Sequence, residues 1–432
     1  MDQDQKFEIV FNIMGPEKLF HELLGLGAHW RVTELVYFKG ERGEVRIVIE
    51  ETQALIESLS CKADGSSVSL YDHSAKRTWR HMNIFQHECF IECSLPRVKC
   101  LKCGKLTTVK APWEGKIKGF TLLFEAFALT LLREMPVNAV SRILGEHDTR
   151  LWRLLKSYVQ EAYRGADFSQ LKTIGCDELS ARKGHDYVSV FADLEGKQVV
   201  YATAGKDGST WDRFAEELPK HNAKAEQIEI ISIDMSPAYK KGASENFPDA
   251  TIVFDRFDVM QAVGKAVDEV RRREHRSLLR KGDKLLKESM WLFRNNPENL
   301  DKKQTAHLDN IKEANLITAK AYQMRLTLQD MYNLNEPTLF KSKLLAWCRW
   351  VNTYGKSKGY IFKPMVAAAK TILNHLDGII SFAESRITNA YMEGLNSVFS
   401  AVKRKARGFR SNQNLICMLY FVAGKLKIPC LT

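Results

Sequence analysis

No stretch of about 18 or more uncharged apolar residues occurs in the chain, so length alone excludes a membrane-spanning helix. The opening Met1-Asp2-Gln3-Asp4-Gln5-Lys6 lacks the basic-then-apolar profile of a secretory leader. The expectation is a protein that stays in the cytoplasm and has no membrane partner. Cysteine is sparse and odd in number: of nine, five lie between Cys61 and Cys103, while Cys176, Cys348, Cys417 and Cys430 are scattered. Such a set is no disulfide framework and reads as reduced thiols with one metal site among them. Acids are the minority charge, 52 against 64 Lys and Arg, a net charge of +12. A basic surplus suits a polyanionic partner, because Lys and Arg bind phosphate backbones by releasing condensed counterions.

The 432 residues, 45% of them apolar, suffice for two to four domains. From Gly43 to about Lys110 the pattern is short strands and turns: Val45 to Ile49, Val68 to Tyr71, and Phe85 to Ile91, punctuated by Gly65-Ser66-Ser67 and Gly104. After Pro112-Trp113 it turns helical, with Phe120, Leu123, Phe124 and Phe127 spaced for one buried face. Residues 134 to 160 predict two helices around a tight break. Pro136 opens the first, Gly145 ends it, and Asp148 or Thr149 caps the second, which carries Arg150, Arg153 and Lys156. That is helix-turn-helix spacing, with small Ser141 and apolar Leu151 placed for close crossing, although an ordinary helical hairpin shares the pattern.

An α/β run follows. Strands are predicted at Leu171 to Cys176, Tyr187 to Ala192 and Gln198 to Thr203, then a helix from Ser209 to about Lys220. A strand from Gln227 to Ile233, a helix from Pro237 to Asn246 and a strand from Ala250 to Phe254 complete it. Three strands, then helix, strand, helix, strand is the order of an RNase H-like fold. From about 260 to 375 the pattern is helical, with charge runs such as Arg271-Arg272-Arg273 and almost no strand signal.

Asp177 directly follows the first strand and Asp234 the fourth, and in the expected sheet these strands are neighbours. Two carboxylates at adjacent strand ends can hold hard divalent cations, which take oxygen ligands and bind substrate phosphates. Each has a plainer alternative as a turn former or helix cap, and Asp234 before Ser236-Pro237 fits that well. The third acid is Glu393. On a helix, Asn389, Glu393, Asn396, Ser400, Arg404 and Arg407 share one face, and Tyr391, Leu395, Val398 and Val402 the opposite one. Between Arg386 and Arg410 six basic residues accompany this single acid. One acid among amides and cations suits a metal ligand beside DNA phosphates; a solvated face is the alternative.

Several segments occur in the order seen in the ISL-three family of bacterial insertion-sequence transposases. They are Asp177-Glu178, Ser232-Ile233-Asp234-Met235-Ser236, Phe247-Pro248-Asp249-Ala250 with Asp255-Arg256-Phe257, and Thr388-Asn389-Ala390 with Glu393-Gly394-Leu395-Asn396. Pro96-Arg97-Val98-Lys99-Cys100, Pro112-Trp113, Phe120 to Ala126 and Arg404 to Phe409 extend the resemblance over most of the chain from about Cys61. The resemblance implies a DDE transposase in which Asp177, Asp234 and Glu393 form the catalytic triad and the helical stretch is an insertion before the glutamate. There are two departures. Family members usually start a zinc-ribbon-like module with Cys-x-x-Cys, whereas Cys61-Lys62-Ala63-Asp64 puts an aspartate opposite the complete pair Cys100-Leu101-Lys102-Cys103. Asp258 stands where the family commonly has a histidine. Cys89 and Cys93, on one face of a period-two strand, read as buried thiols instead of replacement ligands.

The expected architecture is therefore multidomain α+β. Residues 1–111 form a β-rich zinc-ribbon-like module and 112–168 a helix-turn-helix region. Residues 169–262 and 376–432 form an RNase H-like catalytic domain interrupted by a helical insertion at 263–375. Expected cofactors are Mg²⁺ or Mn²⁺ at Asp177, Asp234 and Glu393, and structural Zn²⁺ at Cys61, Asp64, Cys100 and Cys103. Double-stranded DNA, as terminal inverted repeats and target, is the expected partner, contacted by Arg150, Arg153, Lys156, Lys403, Arg404, Lys405, Arg407 and Arg410. Synapsis of two ends implies a homodimer on the bacterial nucleoid. An RNase H-like nuclease without joining activity and a non-catalytic DNA-binding regulator are the alternatives.

Overall fold

The computed structural model describes residues 15–40, 43–182 and 186–429. The expectations resting on residues 1–6 and on Cys430 lie outside them. The chain forms two compact units, one up to Ala162 together with the chain from Lys427, the other Tyr163–Leu426. No helix among the described residues is long and apolar enough to cross a membrane.

The first unit holds α1 (Pro16–Leu23), β1 (Trp30–Phe38), β2 (Glu44–Glu51), α2 (Gln53–Ser58) and β3 (Val68–His73). It continues with β4 (Arg77–Ile84), β5 (His87–Cys93), β6 (Pro96–Cys100) and β7 (Leu106–Thr108). The strands make two sheets, ordered β1-β2-β5-β4 and β3-β6-β7. The three expected strands are present as β2, β3 and β5, but β5 starts at His87, because Phe85 occupies the turn at φ 54°. Cys89 and Cys93 are buried on β5, where burial pushes both thiols up to about 12, as expected of packing residues.

Three helices follow: α3 (Leu122–Glu134), α4 (Val137–Leu144) and α5 (Asp148–Arg164). The expected buried face of α3 is corrected. Phe120 and Phe124 are fully buried, but Leu123 is 53% and Phe127 36% exposed. The helix starts only at Leu122, capped by Thr121, and the buried side turns toward Glu125. That carboxylate accepts from the backbone N–H of Lys116 (2.9 Å) and Ile117 (2.6 Å) and from the Tyr158 hydroxyl (2.6 Å), so an acid sits where periodicity favoured an apolar residue. Between α4 and α5 the turn is as read from the sequence at Gly145, whose φ of 72° ends α4 in the left-handed region. The cap of α5 differs: His147 Nδ1 accepts from Thr149 N at 3.3 Å, and the helix already includes Asp148.

Arg80 fixes this turn to the sheet. It is 2% exposed and donates to the carbonyls of Cys89 (3.2 Å) and Leu144 (3.0 Å), with Glu146 at 3.7 Å. The Phe124 ring lies beneath its guanidinium.

The second unit begins with β8 (Thr173–Arg182), β9 (Asp186–Asp193) and β10 (Gln198–Ala204), then α6 (Ser209–Glu217), β11 (Ile230–Ile233), α7 (Pro237–Asn246) and β12 (Thr251–Phe254). The expected sequence of elements is present, in one sheet ordered β10-β9-β8-β11-β12. The first three strands run antiparallel to one another, and β11 runs parallel to both β8 and β12. The strand β8 is longer than expected, so Asp177 lies within it and not after it. Phe191, Trp211, Phe214 and Phe247 pack one face, Phe191 stacking on Phe214 at 4.4 Å.

All further elements are helical: α8 (Arg256–Leu279), α9 (Met290–Arg294), α10 (Lys302–Glu313), α11 (Ile317–Met331), α12 (Pro337–Asn374, bent at Gly359), α13 (Leu376–Ser385), α14 (Ala390–Lys405) and α15 (Asn412–Ala423). Helix α8 runs through the boundary expected between 262 and 263. Glu274, buried on α8, caps α11 by accepting from the N–H of Ile317 (2.9 Å) and Thr318 (2.7 Å).

Candidate active site and metal centre

The parallel register brings the acids together. Ile230, Ile231 and Ser232 of β11 stand beside Thr173, Ile174 and Gly175 of β8, and Ile233 stands beside Phe254 of β12. Continued two steps past the Ser232–Gly175 pair and one step past the Ile233–Phe254 pair, the same register aligns Asp177, Asp234 and Asp255 in one row across three strands, whose neighbours are about 4.8 Å apart. Burial, and next the Asp234 charge, raise the Asp177 carboxyl above the ordinary range against the pull of its hydrogen bonds. Those bonds come from Glu178 N (2.7 Å) and Asn396 Nδ2 (2.5 Å). Asp234 takes part in a turn as well, its Oδ1 accepting from Ser236 N at 3.0 Å, which leaves Oδ2 for another role.

Asp255 is 4% exposed and joins two helix starts. Its Oδ1 accepts from Phe257 N (2.7 Å), capping α8, and its Oδ2 accepts from Asn389 N, the residue that opens α14. Glu393 lies in the first turn of α14, where the helix dipole favours an anion. Asp258, one turn into α8, faces the whole cluster: burial first, then Asp234, Asp255, Asp177 and Glu393, push its carboxyl up to about 7.

Helix α14 reaches β8 because Gly175 has no side chain; a Cβ there would lie 2.6 Å from Leu194 and 2.9 Å from Met392. The expected apolar face of α14 is corrected to Met392, Leu395 and Phe399, while Val398 is 44% exposed. Met392 and Asn396, one turn apart, therefore meet the strand that carries Asp177. Arg407 and Arg410 lie beyond the helix. Lys403 donates to the Ser180 carbonyl, and Arg404 and Lys405 are exposed. On α5, Arg153 is exposed and Lys156 half-buried, but Arg150 is engaged by Glu146 (2.5 Å) and stacks on Phe120 at 3.9 Å.

The second centre is in the first unit. Cys61, Asp64, Cys100 and Cys103 place one ligand atom each within 4.8 Å of one another, the only such group of three or more among the described residues. The Cys61 and Cys103 sulfurs are 3.7 Å apart, and Cys100 Sγ is 3.7 Å from Asp64 Oδ1. Tetrahedral zinc with Zn–S near 2.3 Å needs sulfurs roughly 3.8 Å apart, so the residues fit the ion. The N–H groups of Cys103 and Lys102 point at Cys100 Sγ and pull its thiol down, favouring the thiolate a metal requires. The aspartate thus occupies the position that a cysteine would hold.

The groups that act together on Asp258, namely Asp234, Asp255, Asp177 and Glu393, are all carboxylates. Their all-oxygen donor set and mutual repulsion suit a hard divalent cation.

Residues 174–419 match a family model described as a transposase. The chain belongs to transposase family ISL3. Residues 109–159 of this transposase match the family's helix-turn-helix domain, which covers α3, α4 and most of α5, and 59–103 match the zinc finger of the IS204, IS1001, IS1096 and IS1165 transposases. It is 27% identical over 360 residues to the transposase for insertion sequence element IS1001 of Bordetella parapertussis, covering 82% of this chain and 86% of that one. It is 25% identical over 431 residues to the transposase for insertion sequence element IS1557 of Mycobacterium tuberculosis, covering 93% and 94%. The helix-turn-helix domain makes the transposase a DNA-binding protein, and the zinc-ribbon match agrees with the structural-zinc geometry of the cysteine-rich quartet. Sequence reasoning missed the part of Asp255, although its position directly after a short apolar strand is the same signal that marked Asp234.

Proposed function

We propose that the chain cuts DNA at the terminal inverted repeats of an insertion sequence and joins the freed 3′-hydroxyl to target DNA, using an RNase H-like catalytic domain with a helical insertion at 263–375. The observation that carries this reading is the in-register row of Asp177, Asp234 and Asp255, with Glu393 tied to it through Asn389. Asp177, Asp234 and Glu393 would hold Mg²⁺ or Mn²⁺, which supplies charge to the attacking and leaving oxygens of an in-line displacement at phosphorus. Asn396 orients Asp177, and Asp255 orients the start of α14. In cutting, the water oxygen bonds to phosphorus, the P–O3′ bond breaks, and the 3′-oxygen takes up a proton. In joining, the 3′-hydroxyl replaces water and loses its proton, and the displaced target oxygen gains one. No protein side chain becomes covalently bound.

Arg153 and Lys156 on α5 would contact the terminal repeats, and Arg404, Lys405, Arg407 and Arg410 would hold backbone. Arg150 and Lys403 would act from their protein contacts by positioning those elements. Two chains would pair on the nucleoid to synapse two ends.

The test is cleavage and joining of a labelled duplex carrying the element's end in Mg²⁺ or Mn²⁺, comparing wild type with D177A, D234A and E393A. Metal-dependent cutting and joined products, both lost in all three variants with binding retained, are expected. Cutting that survives E393A would refute the triad, and cutting without any joined product would leave a nuclease.

A further inference from the structure

Glu393 opens on a groove of about 1130 Å³ walled by α8, α9, α11 and the start of α14. Its size slightly exceeds the range of small-molecule sites, about 300–1,000 Å³. Its charges are uneven. Asp268 is neutralised by Arg271 and Arg272 at 2.8 Å each, Glu269 pairs with Arg273, and Asp255 is saturated by backbone N–H groups. Glu393 is thus the lining carboxylate left without a partner, whereas Arg256, Lys265, Arg294 and Arg325 line the same groove and form no ion pair with a carboxylate among the described residues. Phe257, 52% exposed, adds a bare aromatic ring beside the acid cluster.

Cations without a carboxylate partner along a groove with an exposed ring are the chemistry of a single-strand site, although Lys265 also holds Gln261 Oε1 and Arg325 holds Asn296 Oδ1: phosphates track the cations, and a base stacks on the ring whatever its identity. We propose that this groove holds a short unpaired stretch of the DNA strand next to the scissile phosphodiester, with Phe257 stacking a base and Lys265 and Arg294 binding phosphates. The inference rests on the DNA-cutting reading for its substrate and gives the helices of 263–375 a role: they supply Lys265, Arg294 and Arg325 to a site that ends at Glu393. The end of the element must then be locally opened before it is cut.

The test uses the full, zinc-loaded chain in buffer without Mg²⁺ or Mn²⁺, where no cutting is needed for the readout, with a short labelled oligothymidylate and a blunt duplex as probes. F257A should weaken oligothymidylate binding roughly tenfold, and F257W should restore it, because stacking of one base contributes on that scale. The double variant K265A/R294A should flatten the plot of log affinity against log salt by about 1.4, two phosphates at roughly 0.7 each. Blunt-duplex affinity should change far less in every case. All three side chains are exposed, so the variants should fold, and melting curves check that they do. Absence of oligothymidylate binding by wild type, an unchanged affinity in F257A, or equal loss on both probes would overturn the inference. Loss of the catalytic reading alone would appear differently, as triad variants that still cut while the groove variants lose single-strand binding.

Discussion

Replacing Asp255 with alanine isolates how α14 is held against the strand row. In the wild-type protein one carboxylate serves two donors, Phe257 N at the start of α8 and Asn389 N at the start of α14, and it is 4% exposed. Alanine removes a helix cap, at about 1 kcal/mol, and strands the buried Asn389 N–H, at about 1–3 kcal/mol. D255A should therefore lose about 2–4 kcal/mol of stability in urea unfolding of the second unit. Its effect on cutting should be larger than its effect on folding. Glu393 sits four residues after Asn389, and a shift of about 1 Å in a catalytic group costs on the order of 100-fold in rate. D255N keeps one oxygen acceptor for two N–H donors and turns its amide N–H toward the other, so it should recover only part of the stability and part of the rate. The assay is single-turnover cleavage under conditions where all variants are folded, with end binding measured in parallel. Cutting by D255A at the wild-type rate, with the stability loss observed, would refute the claim that Asp255 places Glu393.

Three other outcomes follow from particular contacts. Asp258 has a folded-state pKa of about 7, above its ordinary value near 4, so the fold favours the protonated form. Its contribution to stability is full below about pH 4 and is lost as pH rises through about 7. Without added Mg²⁺ or Mn²⁺, D258N should flatten the fall in unfolding free energy of the second unit across that window, and parallel curves for wild type and variant would contradict the assignment. C100S should abolish retention of zinc by metal analysis and lower the melting temperature of the first unit, whereas D64C should hold zinc against a chelator more tightly, since thiolate is the better ligand in closed sites. Equal chelator resistance of D64C and wild type would remove Asp64 from the quartet. R80M should cost about 3–5 kcal/mol in unfolding of the first unit, because it leaves Glu146 buried without one of its partners, and R80K should not restore it, since an ammonium cannot span the carbonyls of Cys89 and Leu144. A small loss in R80M, or full recovery in R80K, would show that the turn between α4 and α5 is held some other way.

What the sequence made legible is what local chemistry decides. Cys100 and Cys103 stand on one turn, so their spacing alone announced a metal pair, and Cys61 with Asp64 repeats that turn with one ligand exchanged. The strand-end acids were legible for a related reason: a short apolar run of β-branched residues ends on a carboxylate at Asp234, and the same feature recurs at Asp255. Asp234 was read as a ligand and Asp255 only as part of a motif because the row that joins them depends on register, which no single strand contains. The faces of α3 and α14 were misread at the next level. Periodicity assigns the inside of a helix to its apolar side, but Glu125 is drawn inward by three donors, and the inward side of α14 is set by the missing side chain at Gly175. The groove lay furthest from view, since its cations at 256, 265, 294 and 325 come from three helices and share no spacing. The capping of α11 by Glu274 is the kind of contact that brings those helices into one wall. The same logic explains why the acids tolerate one another: Asp255 spends its charge on two helix starts, so in the proposed site Asp177, Asp234 and Glu393 would be the acids left for metal and substrate, and the repulsion that remains falls on Asp258.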